Sequence, residues 1–236
     1  MQNLDKPSNQ LLAALSQQVY QRLYAYLEPV KLTKHEFLYH SGETYDYAYF
    51  PTHSVISIVS ILDDGSTTEI GVIGNEGMIG LPIILNTNCL GNLSAIVQVD
   101  GGGQRIAASR LREELDRRGE LQRLLMRYVQ AQITQVGQTA ACNRHHNIEQ
   151  RFARWLLMVN DSIGKEAFYL TQEFTSQMLG VRRSGVSQVA SKLQEANIIC
   201  YSRGLIKIIE RQKLEAACCE CYKMIANEYN RLLKDF

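Results

Sequence analysis

Residues 171–209, TQEFTSQMLGVRRSGVSQVASKLQEANIICYSRGLIKII, have the most informative pattern in the sequence. This pattern predicts a short helix, a tight turn at Gly180, a second helix over about 182–196 and a hairpin closed at Gly204. Glycine accepts the positive φ of such a turn, and the small Ser176 lets two helix backbones approach each other. An apolar seam between the helices is formed by Leu179, Val181, Val186 and Val189. The stretch therefore predicts a winged helix-turn-helix.

The surrounding region is basic, although the whole chain has a formal net charge of only +1. Residues 144–213 carry 11 Lys and Arg against 6 Asp and Glu, whereas residues 1–143 carry 11 against 14. Lysine and arginine neutralise phosphates and supply most non-specific DNA affinity, which requires charge only on the docking surface. Helix-turn-helix packing also occurs in proteins that never contact DNA, so ordinary packing is the alternative. The charge distribution favours double-stranded DNA as the partner.

Two longer helices are predicted before this module. The first, over about 120–141, has apolar residues at spacings of three and four, and the second, Ile148–Ile163, has an apolar face that contains Trp155. The apolar side of the first helix either packs on its own domain or forms the seam of a symmetric dimer. We expect a homodimer, because one helix-turn-helix buries little surface and a dimer binds two half-sites.

The N-terminal half has the alternating pattern of short strands, after two short helical segments near 10–15 and 16–27. Asp64-Gly65 between two β-branched runs predicts a hairpin, and a second hairpin is predicted around the glycines at 101–103. Antiparallel strands at this spacing are typical of a small barrel or jelly roll. The glycine-rich segment 74–82 between the hairpins is interpreted as a turn-dense crossover, with close approach to a ligand as the alternative.

Composition bounds the remaining possibilities. The chain has 236 residues, enough for one or two cores, and no apolar run approaches the roughly 18 residues of a membrane span. Residues 1–7 lack the pattern of a signal peptide, so we expect a cytoplasmic protein without membrane contact, in which the six cysteines are reduced. No catalytic triad order, Walker loop or dinucleotide fingerprint is present, and an enzyme is not expected.

The order of these parts resembles the Crp/Fnr superfamily of bacterial transcription regulators. The strings that carry the resemblance are DGSTTEIG at 64–71, EGMIGLP at 76–82, RFARWLL at 151–157 and LTQEFTSQMLGVRR at 170–183. The resemblance covers nearly the whole chain. It implies an α+β fold with an antiparallel β-roll or jelly-roll sensor domain at 1–108, a dimerisation helix at 109–143 and a winged helix-turn-helix domain at 144–236. It further implies a homodimer on a palindromic promoter site and RNA polymerase as a partner.

The effector pocket of that family is where this sequence departs. Members that bind cyclic AMP carry a Gly-Glu pair in the crossover and an Arg-Ser pair on a later strand. The matching positions here are Gly77-Met78 and Leu93-Ser94. Without the carboxylate and the guanidinium, the ribose and the cyclic phosphate lose their partners, so we expect no useful binding of cyclic nucleotides. No cofactor is predicted, and the sequence does not identify the effector.

The resemblance also assigns the DNA contacts. Base reading falls on Arg183, Ser184 and Gln188. Arginine matches the two major-groove acceptors of guanine, and glutamine can pair with adenine. Ser184 stands where the family commonly has an acidic residue, which puts the usual half-site in doubt. Phosphate contacts are expected from Thr171, Arg182, Ser187, Lys192 and Arg203.

The cysteines allow a second hypothesis. Cys218 and Cys221 are expected to share one face of a terminal helix, and with a fourth donor, or with the other subunit, they could bind zinc or a cluster or form a redox-sensitive pair. Small apolar packing is the favoured interpretation, so no metal site is predicted. His145 and His146 are interpreted as a solvated helix start. The alternative function for the whole chain is a ligand-binding or protein-interaction module whose winged helix mediates protein contacts.

Overall fold

A β-roll, a long helix and a winged helix-turn-helix follow one another along the chain in a computed structural model that describes residues 7–234. The expected α+β class is confirmed. Residues 1–6, where no signal peptide is expected, and residues 235–236 lie outside the described residues. No helix in the described part of the chain is long and apolar enough to cross a bilayer.

The β-roll consists of two antiparallel sheets that follow two short helices, α1 Gln10–Ala13 and α2 Gln17–Tyr24. Its strands are β1 Glu28–Leu32, β2 Phe37–Tyr39, β3 Tyr47–Pro51, β4 Val55–Ile61, β5 Thr67–Ile73, β6 Leu93–Val99 and β7 Gly101–Ala107. One sheet has the order β1-β7-β3 and the other has the order β2-β6-β4-β5. The hairpin predicted at Asp64-Gly65 joins β4 to β5, and Gly65 has φ 82°.

The second predicted hairpin is wrong. β6 and β7 are separated by Asp100 alone and lie in different sheets, β6 beside β2 and β4 and β7 beside β1 and β3. The glycines belong to β7, where they permit close backbone approach: a Cβ on Gly101 would lie 2.4 Å from the carbonyl oxygen of His53. Strand β1 was not predicted, because its residues are mostly exposed and do not alternate.

The central helix is α5, Glu120–His145, which follows α3 Leu81–Ile84 and α4 Ala108–Leu115. It is four residues longer than expected, so the expected boundary at 143 falls inside its last turn. Its apolar residues divide between two faces, one packed on the β-roll and one exposed, so packing on its own domain accounts for only part of the pattern. Leu121, Leu124, Leu125 and Tyr128 are buried in the core of the β-roll. Met126, Ile133 and Val136 are exposed.

The C-terminal module begins with α6, Ile148–Ile163, at the predicted bounds, with Asn147 and Gln150 forming a capping box. The further elements are β8 Ala167–Tyr169, α7 Gln172–Leu179, α8 Arg183–Glu195, β9 Ile199–Ser202, β10 Leu205–Ile208, α9 Arg211–Ala217, α10 Cys221–Tyr229 and a π-helical turn at Asn230–Lys234. The wing has three strands rather than two, because β8 pairs with β10. Three residues are too short a run to predict β8 from alternation.

The module packs directly on the β-roll. Phe152 and Leu156 share a buried cluster with Val59 and Val72 of the roll. The indole Nε1 of Trp155 donates a hydrogen bond of 2.8 Å to the carboxylate of Glu69, whose second oxygen has no partner among the described residues. Burial raises the pKa of Glu69 to about 7. A titratable carboxyl therefore lies in the contact between the two domains.

Candidate nucleic-acid interface

The turn between α7 and α8 has the predicted chemistry. Thr171 caps α7, since its hydroxyl accepts a hydrogen bond of 3.2 Å from the backbone N–H of Phe174. Gly180 ends α7 in the left-handed conformation, with φ 60° and ψ 42°. Val181 N then donates to Ser176 O at 3.0 Å and closes the turn. Buried side chains from both helices fill the seam: Phe174, Met178, Leu179, Val186 and Ala190. Sequence and packing thus fix the direction in which α8 leaves the turn.

The first turns of α8 present the three expected base-reading residues to solvent. Arg183, Ser184 and Gln188 are all exposed, while Val186 between them is buried. Residues four apart lie on one helix face, so Ser184 and Gln188 are neighbours there. Burial raises the pKa of Tyr201 in the wing to about 12, and the positive charge of the Arg183 guanidinium partly offsets that rise. The helix therefore offers a polar, exposed face with a cation at its N-terminal end.

Two arginines lie beside this face with their charges uncommitted. Arg182 occupies the N-cap of α8 without a side-chain capping bond. Arg203 and Gly204 form the two-residue turn of the wing, both at positive φ, as a type I′ turn requires. Within residues 7–234 neither arginine forms a salt bridge, although the structure contains ten such pairs. Exposed, unpaired cations are what phosphate contact requires.

The other three phosphate candidates are less free. The Thr171 hydroxyl accepts the capping bond, although its proton is still available to donate. Ser187 is half-buried. Lys192 Nζ forms a salt bridge with the carboxylate of Glu149, so a phosphate would have to compete with that carboxylate. Two of the five expected phosphate contacts, Arg182 and Arg203, therefore have unpaired charges.

A cavity of about 480 Å³ lies between the β-roll and α5. Met78 and Leu93 both line it, and no charged side chain does so among the described residues. The rest of the lining is largely aliphatic: Ile58, Ile70, Ile73, Ile79, Leu81, Leu85, Leu90, Val129, Ile133 and Val136. A lining of this kind suits a neutral, apolar ligand and gives a phosphate no partner.

The polar groups of the crossover are satisfied within the chain. The Tyr128 hydroxyl donates to Met78 O at 2.7 Å and accepts from Met78 N at 3.0 Å. Gly77 is packed so tightly that a Cβ there would lie 2.7 Å from the same hydroxyl. The Ser94 hydroxyl accepts a hydrogen bond of 3.0 Å from the backbone N–H of Ser41. The four residues of the expected effector pocket therefore offer no uncommitted polar pair to a cyclic nucleotide.

The cysteine expectation was wrong about local structure. α9 ends at Ala217 and α10 begins at Cys221, so residues 218–220 are not helical, and Cys218 and Cys221 do not share a helix face. His146 is the C-cap of α5 rather than a solvated helix start, and its side chain is only 16% exposed. Cys142 contacts Cys219, and His146 contacts Cys221. Sequence periodicity could not predict these contacts, because they join segments more than 70 residues apart.

A β-roll joined by a long helix to a winged helix-turn-helix is a defined fold class, and comparison with known proteins identifies it. Residues 150–217 match the family model of the Crp-like helix-turn-helix domain. No curated protein sequence matches the chain significantly.

Solved structures match nearly the whole chain. A Crp/Fnr-family transcriptional regulator from Eubacterium rectale aligns with a TM-score of 0.65 at 15% identity, covering 88% of this chain and 96% of its own. FixK2 from Bradyrhizobium japonicum aligns with a TM-score of 0.64 at 15% identity, covering 82% and 98%. The c-di-GMP responsive regulator CLP from Xanthomonas campestris gives 0.64 at 13%, covering 82% and 99%. The chain therefore contains a Crp-like helix-turn-helix domain and has the Crp/Fnr fold, which confirms the resemblance found in the sequence.

Proposed function

We propose that this protein is a sequence-specific DNA-binding transcription regulator of the Crp/Fnr type. The observation that carries the proposal is the exposed N-terminal half of α8, which follows a left-handed Gly180 turn and is flanked by the unpaired Arg182 and Arg203. In a helix-turn-helix the second helix enters the major groove with its N-terminal residues at the base edges. Arg183 would bind guanine, Gln188 would pair with adenine, and Ser184 would contact either base.

The proposed regulator acts as a homodimer through α5. Five apolar positions along this helix, all exposed except the buried Val129, are spaced three, four, three and four residues apart, which is the spacing of a coiled-coil seam: Met126, Val129, Ile133, Val136 and Ala140. Met126 is 48% exposed and Ile133 is 68% exposed, although both are large and apolar. Exposed apolar surface of this extent is typical of an interface. The three-part division at 1–108, 109–143 and 144–236 remains part of this proposal.

The regulatory ligand we propose is an uncharged, mainly apolar molecule in the cavity of about 480 Å³. The proposal excludes cyclic AMP, because burying its phosphate without a cationic partner is costly. Titration calorimetry with cyclic AMP should detect no binding, and an affinity in the micromolar range or tighter would contradict the proposal of an uncharged ligand. A neutral fluorescent apolar dye should bind, and Ile70→Trp, which fills the cavity, should abolish its signal. The matched control Ile61→Trp, an exposed residue outside the cavity, should leave the signal unchanged.

Selection from a random duplex library tests the main function. Purified protein should enrich a palindromic site whose half-sites are about one helical turn, roughly 10 base pairs, apart. On a promoter that contains this site, transcription by RNA polymerase should change when the protein is added. Failure to enrich any sequence, together with stable binding to another protein through the wing, would favour the protein-interaction module instead.

A further inference from the structure

Four metal-binding side chains from distant parts of the sequence converge at the C-terminal end of α5. Cys142 lies on the last turns of α5, His146 caps that helix, and Cys219 and Cys221 come from the link into α10. The four donor atoms all lie within 4.8 Å of one another. The three cysteines are buried, and His146 is largely buried. We name this group the Cys3His cluster.

The distances within the Cys3His cluster match one tetrahedral ion. Zinc bonds of about 2.3 Å to sulfur and 2.0–2.1 Å to nitrogen place tetrahedral ligands about 3.8 Å apart for two sulfurs and about 3.6 Å apart for sulfur and nitrogen. The Sγ atoms of Cys142 and Cys219 are 3.6 Å apart, and Cys221 Sγ is 3.5 Å from His146 Nδ1. In an iron–sulfur cluster the ligands bind different iron atoms and lie farther apart. Four donors within 4.8 Å thus fit a single ion.

The backbone explains how these residues can face one point. Cys142 and His146 are four residues apart, and His146 N donates to Cys142 O at 3.0 Å, so both lie on one side of the helix end. Because residues 218–220 are not helical, Cys219 and Cys221 do not have the separation of about 200° that residues two apart have around a helix axis. Cys218, in contrast, is turned to the carbonyl oxygen of Cys219 and is not in the cluster.

The surroundings of the cluster also fit a metal. His146 presents Nδ1 to the thiols, while its Nε2 lies 3.2 Å from the carboxylate of Glu220, the arrangement that orients zinc-binding histidines. Gln138 Nε2 donates a hydrogen bond of 3.1 Å to Cys221 Sγ. Three thiolates and one Zn²⁺ leave a net negative charge, and the buried guanidinium of Arg154, which acts electrostatically on Cys142, can balance it.

We propose that Cys142, His146, Cys219 and Cys221 bind one Zn²⁺ ion in a closed tetrahedral site. On binding, each thiol loses its proton to solvent as its sulfur–zinc bond forms, and no electron is transferred. Four protein ligands leave no open position, which is typical of structural rather than catalytic zinc. The site joins α5 to α10 next to the start of α6. Zinc would therefore fix the angle between α5 and the C-terminal module, which the proposed function assigns to dimerisation and DNA binding.

Metal analysis of the reduced, tag-free full-length chain tests the site. Close to one zinc per chain is expected in the wild type and in the matched control Cys218→Ser. Less than a tenth of that amount is expected in Cys142→Ser, Cys219→Ser and Cys221→Ser. Glu220→Gln should still bind zinc but with affinity lower by about 10- to 100-fold.

The visible absorption of the cobalt-loaded wild type is a second test, which does not depend on whether the serine variants fold. Metal-free wild type loaded anaerobically with Co²⁺ should show the intense visible bands of tetrahedral cobalt with thiolate ligands, and Zn²⁺ should remove them. Four results would overturn the proposal: a folded wild type that binds no metal, iron with acid-labile sulfide, equal metal loss in Cys218→Ser, or a Cys142–Cys219 disulfide as the only product. Metal content is measured without DNA, so failure here leaves the proposed function separately testable.

Discussion

Helix α8 with the wing and the cavity beside the β-roll are opposite kinds of surface on one chain. α8 and the wing expose Arg182, Arg183 and Arg203 to solvent, whereas aliphatic side chains line the cavity and no charged one does among the described residues. A polyanion suits the first surface and a neutral molecule suits the second. A β-roll of this fold can therefore retain a cavity in which no described charged side chain is available to bind a phosphate. Two exposed apolar residues of α5, Ile133 and Val136, also line this cavity.

The largest effect should come from a charge placed in the proposed seam of α5 at Met126, which does not line the cavity. In a two-fold coiled coil each seam residue lies near its own copy, so Met126→Glu places two carboxylates together in an apolar contact. We expect a monomer by sedimentation and at least a hundredfold weaker binding to the selected site, because half-site linkage commonly contributes about 10²–10⁴.

Leu62→Glu is the matched control, since it also puts a charge on an exposed apolar residue, here at 61% exposure, but outside the helix. It should remain dimeric. A dimeric Met126→Glu would show that α5 is not the seam.

The next effect concerns the contact between the β-roll and helix α6, where Trp155 donates a hydrogen bond to Glu69. Glu69 has its pKa raised from 4.5 to about 7 by burial, so the folded protein holds a proton that the unfolded chain releases between these values. Stability should therefore fall as the pH rises from about 4.5 to about 7. Glu69→Gln removes this penalty and should stabilise the protein by up to about 3 kcal/mol at pH 8.

Denaturant unfolding of both proteins at pH 8 and below pH 4.5 measures this difference. The gain should vanish at the lower pH, where the carboxyl is protonated in both states. The exposed Glu113→Gln serves as the control and should give no such gain. A gain of the same size at both pH values would mean that packing, rather than ionisation, is responsible.

The third effect separates base reading from charge. Arg183→Ala should weaken binding to the selected site by about 1–3 kcal/mol, roughly 5- to 150-fold, and relax the base preference at one position of each half-site. Competition binding against duplexes substituted at each position measures both changes. If affinity for random DNA falls equally, Arg183 contacts phosphate and not a base.

The smallest effect is expected from Arg203→Ala at the wing tip. Loss of one phosphate contact should weaken selected and random duplexes alike and reduce the slope of log affinity against log salt by about one per contact. Fluorescence anisotropy over a salt series measures the slope. A change confined to the selected site would instead give the wing a role in base recognition.

Local sequence patterns predicted the helix-turn-helix well. The turn at Gly180 and the bounds Ile148–Ile163 depend on residues within a few positions of each other, and the structure has both as predicted. The two faces of α5 could be foreseen only as alternatives, because apolar spacing does not say which neighbour covers each face. The structure shows that the face with Leu124 is buried and that the face with Ile133 is exposed.

Pairing between distant segments was not predictable in the same way. The glycines of β7 resembled a turn, but they serve close contact with residues 50–54, which only the assembled sheet reveals. The Cys3His cluster was missed because its members are separated by 77 residues between Cys142 and Cys219, and because the 218–220 segment was assumed to be helical. Glu69 gave no sign of burial, since it lies in a polar hairpin sequence.

The ratio of the affinities for the selected site and for a random duplex of equal length, measured on the purified protein at physiological salt, tests sequence-specific DNA binding most directly. Sequence-specific regulators commonly bind their sites about 10³–10⁷ times more tightly than random DNA. We expect a ratio of at least about a thousandfold, with both affinities falling as the salt concentration increases. A ratio near one at every salt concentration would contradict the claim that α8 reads a DNA sequence.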